Sequence, residues 1–226
     1  MDFLKTRVKA AAVANLTDAR YFAAYGVDYL GFALEPGSVG YVGEGAVAEM
    51  REWIEGPTLV GEFGHVAPEE IARQAATLRL GAVQVGPYEP MGKRSGAPLV
   101  STRDVARATG LPVLHEIVLG PDVGPAEAQR IIDGSAAATA AYVIDCSRNG
   151  LHWDVLRGRD AWLAWLIDTC ADHEVLLDVP AAPAQLAEVL ATLSPAGLQV
   201  AGGEEEAVGV KAFEELDDWF EELRAE

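Results

Sequence analysis

Polar side chains recur along the chain, each at the end of a short apolar run: Glu35, Glu62, His65, Gln84, His115, Glu116, Asp145 and Asp178, all but Gln84 able to move protons. A carboxyl and an imidazole that face each other can act as general acid and base. Asp178 and Glu62, with His65 or His115 and Asp145, have donor types suited to a divalent metal. No HxH or HExxH spacing accompanies them, so neither a metal nor another cofactor is expected. Neighbouring strand residues point to opposite faces, so His115 and Glu116 cannot both reach one site. By the same parity Cys146 points away from Asp145 toward a helix layer, where a buried, inert thiol is expected.

These residues need a scaffold that brings distant segments to one place. β-branched apolar runs predict strands over Arg7–Val13, Tyr29–Leu34, Thr58–His65, Ala82–Gly86, Leu111–Leu119, Ala141–Cys146, Glu174–Val179 and Gly197–Gly202. Amphipathic runs between them predict helices over Thr17–Tyr25, Gly45–Ile54, Pro68–Leu78, Ser101–Thr109, Pro125–Asp133, Arg159–Asp172, Pro183–Leu193 and Lys211–Ala225. Strict alternation at about 28 residues per unit predicts an α/β fold, a (βα)8 TIM barrel, as one domain over residues 1–226. The first strand-to-helix turn, Val13-Ala14-Asn15-Leu16, lacks the glycine-rich loop of an open dinucleotide-binding sheet. The least regular stretch, Gly86 to Pro98, is a long connection on the face where barrels carry function.

Composition narrows the partners. The chain has 226 residues, 17 Lys and Arg against 35 Asp and Glu, and a formal charge of −18. That sign excludes sequence-independent binding to nucleic acid or an anionic membrane. An acidic, Lys-poor surface suits a salt-rich cytosol, and skewed codon composition gives the same bias. Two cysteines, Cys146 and Cys170, make neither a zinc cluster nor a disulfide framework. The apolar run after Lys9 stops at Asn15, too short for a signal peptide or a membrane span, so a cytoplasmic protein is expected. Trp162 and Trp165 fall at helical spacing, which suits packing against the barrel or a homodimer contact.

In order along nearly the whole chain, several segments resemble one family, the phosphoribosylanthranilate isomerases of tryptophan biosynthesis. Val8-Lys9-Ala10-Ala11-Ala12 sits where the family has Val-Lys-Ile-Cys-Gly, and Asn15-Leu16-Thr17-Asp18-Ala19 is similar to its first-helix start. Gly26-Val27-Asp28-Tyr29-Leu30-Gly31-Phe32 resembles Gly-Ala-Asp-x-Leu-Gly-Phe, and Ser38-Val39-Gly40-Tyr41-Val42 resembles Ser-Pro-Arg-Tyr-Val. Val83-Gln84-Val85-Gly86 is similar to Val-Gln-Leu-His, Val143-Ile144-Asp145 to the strand ending in the catalytic aspartate, and Gly209-Val210-Lys211 precedes the last helix as it does there. The resemblance implies a small (βα)8 barrel and an Amadori rearrangement of an aminoaldose phosphate to an aminoketose phosphate. An acid protonates the ring oxygen, and a base removes the proton on C2.

The same matching exposes departures. Asp145 keeps the general-acid position, while the base position is Ala11, whose methyl group accepts no proton. Loss of a positioned base lowers a rate by roughly 10²- to 10⁴-fold. Gly40 replaces the arginine expected to meet the anthranilate carboxylate, and Gly86 replaces a histidine. Where the family binds phosphate on backbone N–H groups, this chain has Asp178-Val179-Pro180 after the seventh strand, and Gly202-Gly203 followed by Glu204-Glu205-Glu206 after the eighth. One carboxylate about 6 Å from a phosphate charge costs about 2 to 3 kcal/mol at an effective dielectric of about 20. Those glutamates also suit a helix N-terminus, pointing into water. Ligand-binding candidates are therefore Gly202, Gly203, Asp178, Gln84 and Arg148, the last able either to hold a small carboxylate or to pair with a neighbouring acid. The resemblance with these departures implies an isomerase-like barrel that has lost efficient isomerase activity. The alternatives are an active or weakly active isomerase using Asp145 as acid, a different carboxylate- and histidine-centred enzyme, or a non-catalytic binding protein. A small-molecule ligand at the C-terminal barrel face is expected, on a monomer or homodimer.

Overall fold

The structure, a computed structural model, describes residues 4–86, 100–201, 205–207, 210–211 and 213–225. Eight parallel strands close into a barrel: β1 (Arg7–Ala11), β2 (Tyr29–Ala33), β3 (Thr58–Phe63), β4 (Ala82–Val85), β5 (Val113–Val118), β6 (Ala141–Asp145), β7 (Val175–Asp178) and β8 (Gly197–Ala201). Closure is made where β1 pairs with β8, from Arg7 opposite Gly197 to Ala11 opposite Ala201. The helices that link the strands are α1 (Leu16–Ala24), α2 (Glu44–Arg51), α3 (Pro68–Leu78), α4 (Thr102–Thr109), α5 (Pro125–Ser135), α6 (Trp153–Leu156), α7 (Asp160–Asp172), α8 (Leu186–Leu193) and α9 (Glu214–Leu223). The helix starts follow local chemistry. Asn15 accepts from the Asp18 N–H to cap α1, Ser101 accepts from the Asp104 N–H to cap α4, and Pro68 and Pro125 open α3 and α5.

Alternation along each strand separates two apolar layers. Val60, Ala82, Leu114, Val143 and Leu176 fill the lower barrel interior. The larger layer, including Val8, Leu30, Phe32, Ile144 and Cys146, packs between the strands and the surrounding helices. With the lower interior filled by hydrocarbon, the polar inward residues collect at the strand C-terminal ends. No helix among the described residues is long and apolar enough to cross a membrane.

Several predicted boundaries shift for local reasons. β1 stops at Ala11 because Ala12 turns into the left-handed region at φ 49°. The seventh predicted helix divides into a 3-10 turn over Pro183–Gln185 and then α8. A one-turn helix, α6, occupies what reads in sequence as loop after β6, with Trp153 buried at its start. The predicted last helix begins three residues late, at Glu214. Ahead of it, β9 (Glu205–Ala207) pairs antiparallel with β10 (Val210–Lys211), so Glu205 and Glu206 belong to a hairpin strand rather than to a helix N-terminus. The connection from Pro87 to Pro98, Glu204 and the Gly202-Gly203 pair lie outside the described residues.

Candidate active site at the barrel mouth

The upper barrel interior opens into a cavity of about 340 Å³ at the C-terminal ends of the strands. Ala11, Ala33, Glu62, Gln84, Glu116, Asp145, Asp178, Gln199 and Ala201 reach it from all eight strands, and Glu35 and Arg148 from the loops after β2 and β6. Gln84, Glu116, Asp145, Asp178 and Arg148 thus share one cavity with Ala11.

Beneath the cavity floor sits a residue that the sequence-level site omits. Lys9 lies two positions before Ala11 on the same face of β1, with 0% of its surface exposed. Its Nζ donates to Glu62 Oε1 at 2.5 Å and to Gln199 Oε1 at 2.9 Å, and Glu62 Oε2 accepts from the Ala12 N–H at 3.2 Å. The pair fits because Gly31 stands between: a Cβ there would lie 2.0 Å from Glu62 Oε1. Gly31 belongs to the segment that carries the family resemblance, and its absent side chain is what admits the ion pair.

Across the barrel, Asp145 is fully engaged. Its Oδ1 accepts from the Ser147 N–H and hydroxyl, both at 2.8 Å, and from the Arg148 N–H at 3.1 Å. Its Oδ2 lies 2.8 Å from Arg148 Nε, and the same guanidinium reaches Glu116 Oε1 at 2.5 Å. Arg148 is therefore a bridge between two acids. Gly86 makes room for this arrangement, since a Cβ there would fall 2.4 Å from Glu116 Cβ. Glu116 occupies space that a side chain at position 86 would need.

Acid outweighs base here. Five carboxyl groups, from Glu35, Glu62, Glu116, Asp145 and Asp178, line the cavity, and among the described residues Arg148 and Lys9 are the cations set against them. Burial pushes the Glu116 carboxyl up to about 7; Asp145 and Glu62 add to that rise, while Arg148 and Lys9 oppose it. Burial, then the neighbouring Asp145, push Asp178 up to about 6, against a hydrogen bond from Gln199 Nε2 at 3.0 Å. Glu35 is tied at the rim, where its Oε2 accepts from the Gly64 and His65 N–H groups at 2.6 and 2.8 Å. Gln84 is 4% exposed, and its Oε1 has no hydrogen-bond partner among the described residues.

Neither His65 nor His115 joins Glu62, Asp145 and Asp178. His115 points out of the barrel, its Nδ1 3.0 Å from Ser135 Oγ on α5, and burial lowers its proton affinity. The His65 ring lies beside Glu35, with Nδ1 3.5 Å from Oε1, and not on the cavity wall. Among the described residues no three His, Cys, Asp or Glu side chains are arranged to hold a metal ion. Cys146 is buried in the outer layer, and burial raises its thiol well above the ordinary range, helped by Asp178 and Asp145. His173 lies at the opposite end of the barrel, with its ring edge-on to Tyr142. Trp165 donates to Gln129 on α5 at 2.9 Å, and Trp162 packs partly against the outer layer.

No protein-family model matches the chain. The crystal structure of phosphoribosyl anthranilate isomerase from Thermus thermophilus superimposes with a TM-score of 0.71 at 31% identity, over 96% of this chain and 98% of that one. The N-(5'-phosphoribosyl)anthranilate isomerase of Deinococcus radiodurans is 29% identical over 216 residues, 92% of this chain and 91% of the relative. That of Chlorobium luteolum is 26% identical over 226 residues, 97% of this chain and 98% of the relative.

Proposed function

Because the chain belongs to the phosphoribosylanthranilate isomerase family, we propose that it is an isomerase-type barrel that has lost efficient isomerase chemistry while keeping the fold. The observation that carries the reading is the methyl group of Ala11 on the cavity wall at the position matched to the base. The rearrangement needs a group there to take the C2 proton, and a hydrocarbon leaves that transfer to solvent, at a loss of roughly 10²- to 10⁴-fold.

Two further features support it. Asp145, matched to the acid, has Oδ1 hydrogen-bonded to Ser147 and to the Arg148 backbone, and Oδ2 on the Arg148 guanidinium, so its protonating role competes with an established network. The family's substrate carries a phosphate and a carboxylate, and both would enter a cavity whose described carboxyls outnumber its cations.

The structure also offers a specific argument for retained activity. Glu62 sits beside the base position, its Oε2 3.2 Å from the Ala12 backbone nitrogen, and a carboxylate can remove a C2 proton. Complementation separates the readings. A strain lacking its own phosphoribosylanthranilate isomerase, dependent on added tryptophan, is transformed with the wild-type gene or with Glu62→Gln. The proposal expects no rescue by wild type. Rescue by wild type that disappears in Glu62→Gln establishes the second reading instead.

A further inference from the structure

The acceptors of the mouth are concentrated on one wall. Gln84, Glu116, Asp145 and Asp178 come from the four consecutive strands β4 to β7, and Asp145 and Asp178 are direct neighbours in register. Glu62, beside Gln84 in register on β3, is matched by Lys9, and Glu35 by the backbone N–H groups of residues 64 and 65. On the β4 to β7 wall three carboxyls face the one guanidinium of Arg148 among the described residues, so negative charge is left over there. A cluster of acids alone would specify no ligand. The second observation is the Gln84 carbonyl oxygen, buried with its residue 4% exposed, lining the same cavity without a hydrogen-bond partner among the described residues. A buried acceptor in that state is destabilising until a donor reaches it. What the wall lacks is therefore positive charge, and what Gln84 lacks is a donor.

We propose that the barrel mouth binds a small organic cation carrying primary-amine donors, its ammonium group seated between the Gln84 carbonyl and the carboxyls of Glu116 and Asp178. This rests on the reading that the anionic substrate of the family is no longer accepted. A bare metal ion is the poorer fit, because the described carboxyls do not converge as a ligand set. An ammonium instead distributes three donors among acceptors spread along a wall. A cavity of about 340 Å³ has room for an aliphatic diamine. The formal charge of −18 draws such a ligand toward the protein from solution.

Binding should release protons. Glu116 and Asp178 face Lys9, Glu62, Asp145 and Arg148 across the cavity, and both carboxyls hold protons into the pH 6 to 7 range. An ammonium beside them favours their ionised forms, so affinity rises as pH rises.

The test is isothermal titration of the full chain at low salt with 1,4-diaminobutane and, separately, inorganic phosphate, beside turnover of phosphoribosylanthranilate. The inference expects one diamine per chain, binding about tenfold tighter at pH 8 than at pH 6. It also expects a loss of about tenfold or more in Glu116→Gln and in Asp178→Asn, both folded by circular dichroism, and no change in the surface variant Glu188→Gln. Diamine binding that is weak, multiple and equal in all variants reports only a general attraction to an acidic surface and overturns the inference. No diamine binding together with no turnover overturns the inference and leaves the loss of isomerase activity standing. Phosphate binding with turnover, and no diamine binding, overturns both.

Discussion

Replacing Glu116 by Gln removes a buried charge while keeping an acceptor for Arg148. The wild-type carboxyl is 6% exposed and its proton affinity rises from 4.5 to about 7, chiefly through burial. Between those two pH values the folded chain retains a proton that the unfolded chain has released. Folding stability therefore falls as pH rises through that window, after being fully present below 4.5, and the loss is complete above 7. At about 1.4 kcal/mol per pH decade, the loss is about 3 kcal/mol. Asp178, shifted from 3.8 to about 6, adds a slope of the same sign in both proteins and cancels in the comparison. Urea unfolding of wild type and Glu116→Gln at pH 4.5 and pH 8 measures the difference. Wild type should lose about 3 kcal/mol more than the variant between the two conditions. Parallel pH profiles for the two proteins would refute the claim that the mouth carries uncompensated acid.

Three other perturbations probe the surroundings of the site. Lys9→Met leaves Glu62 without its buried cation and should destabilise the fold by about 3 to 5 kcal/mol; adding Glu62→Gln should restore most of it, and a single variant as stable as wild type would show that the pair holds nothing. Ala12 lies in the left-handed region at φ 49°, so Ala12→Gly should raise stability by about 0.5 to 1 kcal/mol in thermal melts, and a lower melting temperature would contradict the strain. Burial raises the thiols of Cys146 and Cys170, the latter to about 12, so the native protein should resist iodoacetamide at pH 8 and react at both positions in urea; rapid native labelling of Cys146 would mean that the outer layer opens.

The barrel was legible because its strands are apolar on both faces along most of their length and alternate with amphipathic helices. Strand parity also placed side chains correctly. His115 lies outside against Ser135, Glu116 inside on Arg148, and Cys146 opposite in sense to Asp145. Lys9 was available by the same rule, since it shares a face with Ala11, but a lysine beside Arg7 reads as a solvated charge until Glu62 is seen across the barrel. Charge pairing between strands far apart in sequence has no local signature. Gly86 and Gly31 read as losses or as family signature in sequence, whereas in space each vacates volume that an acid occupies. The hairpin of β9 and β10 escaped because strands of three and two residues are too short to show alternation.

Steady-state conversion of phosphoribosylanthranilate by the purified chain, followed by chromatographic separation of aminoaldose and aminoketose, bears most directly on the reading of the mouth. With the methyl of Ala11 at the position matched to the base and Asp145 held by Ser147 and Arg148, kcat/KM should fall roughly 10²- to 10⁴-fold below that of a working isomerase. A kcat/KM within the usual enzymatic range of about 10⁴ to 10⁸ M⁻¹s⁻¹ would contradict it and return the barrel to the working isomerases.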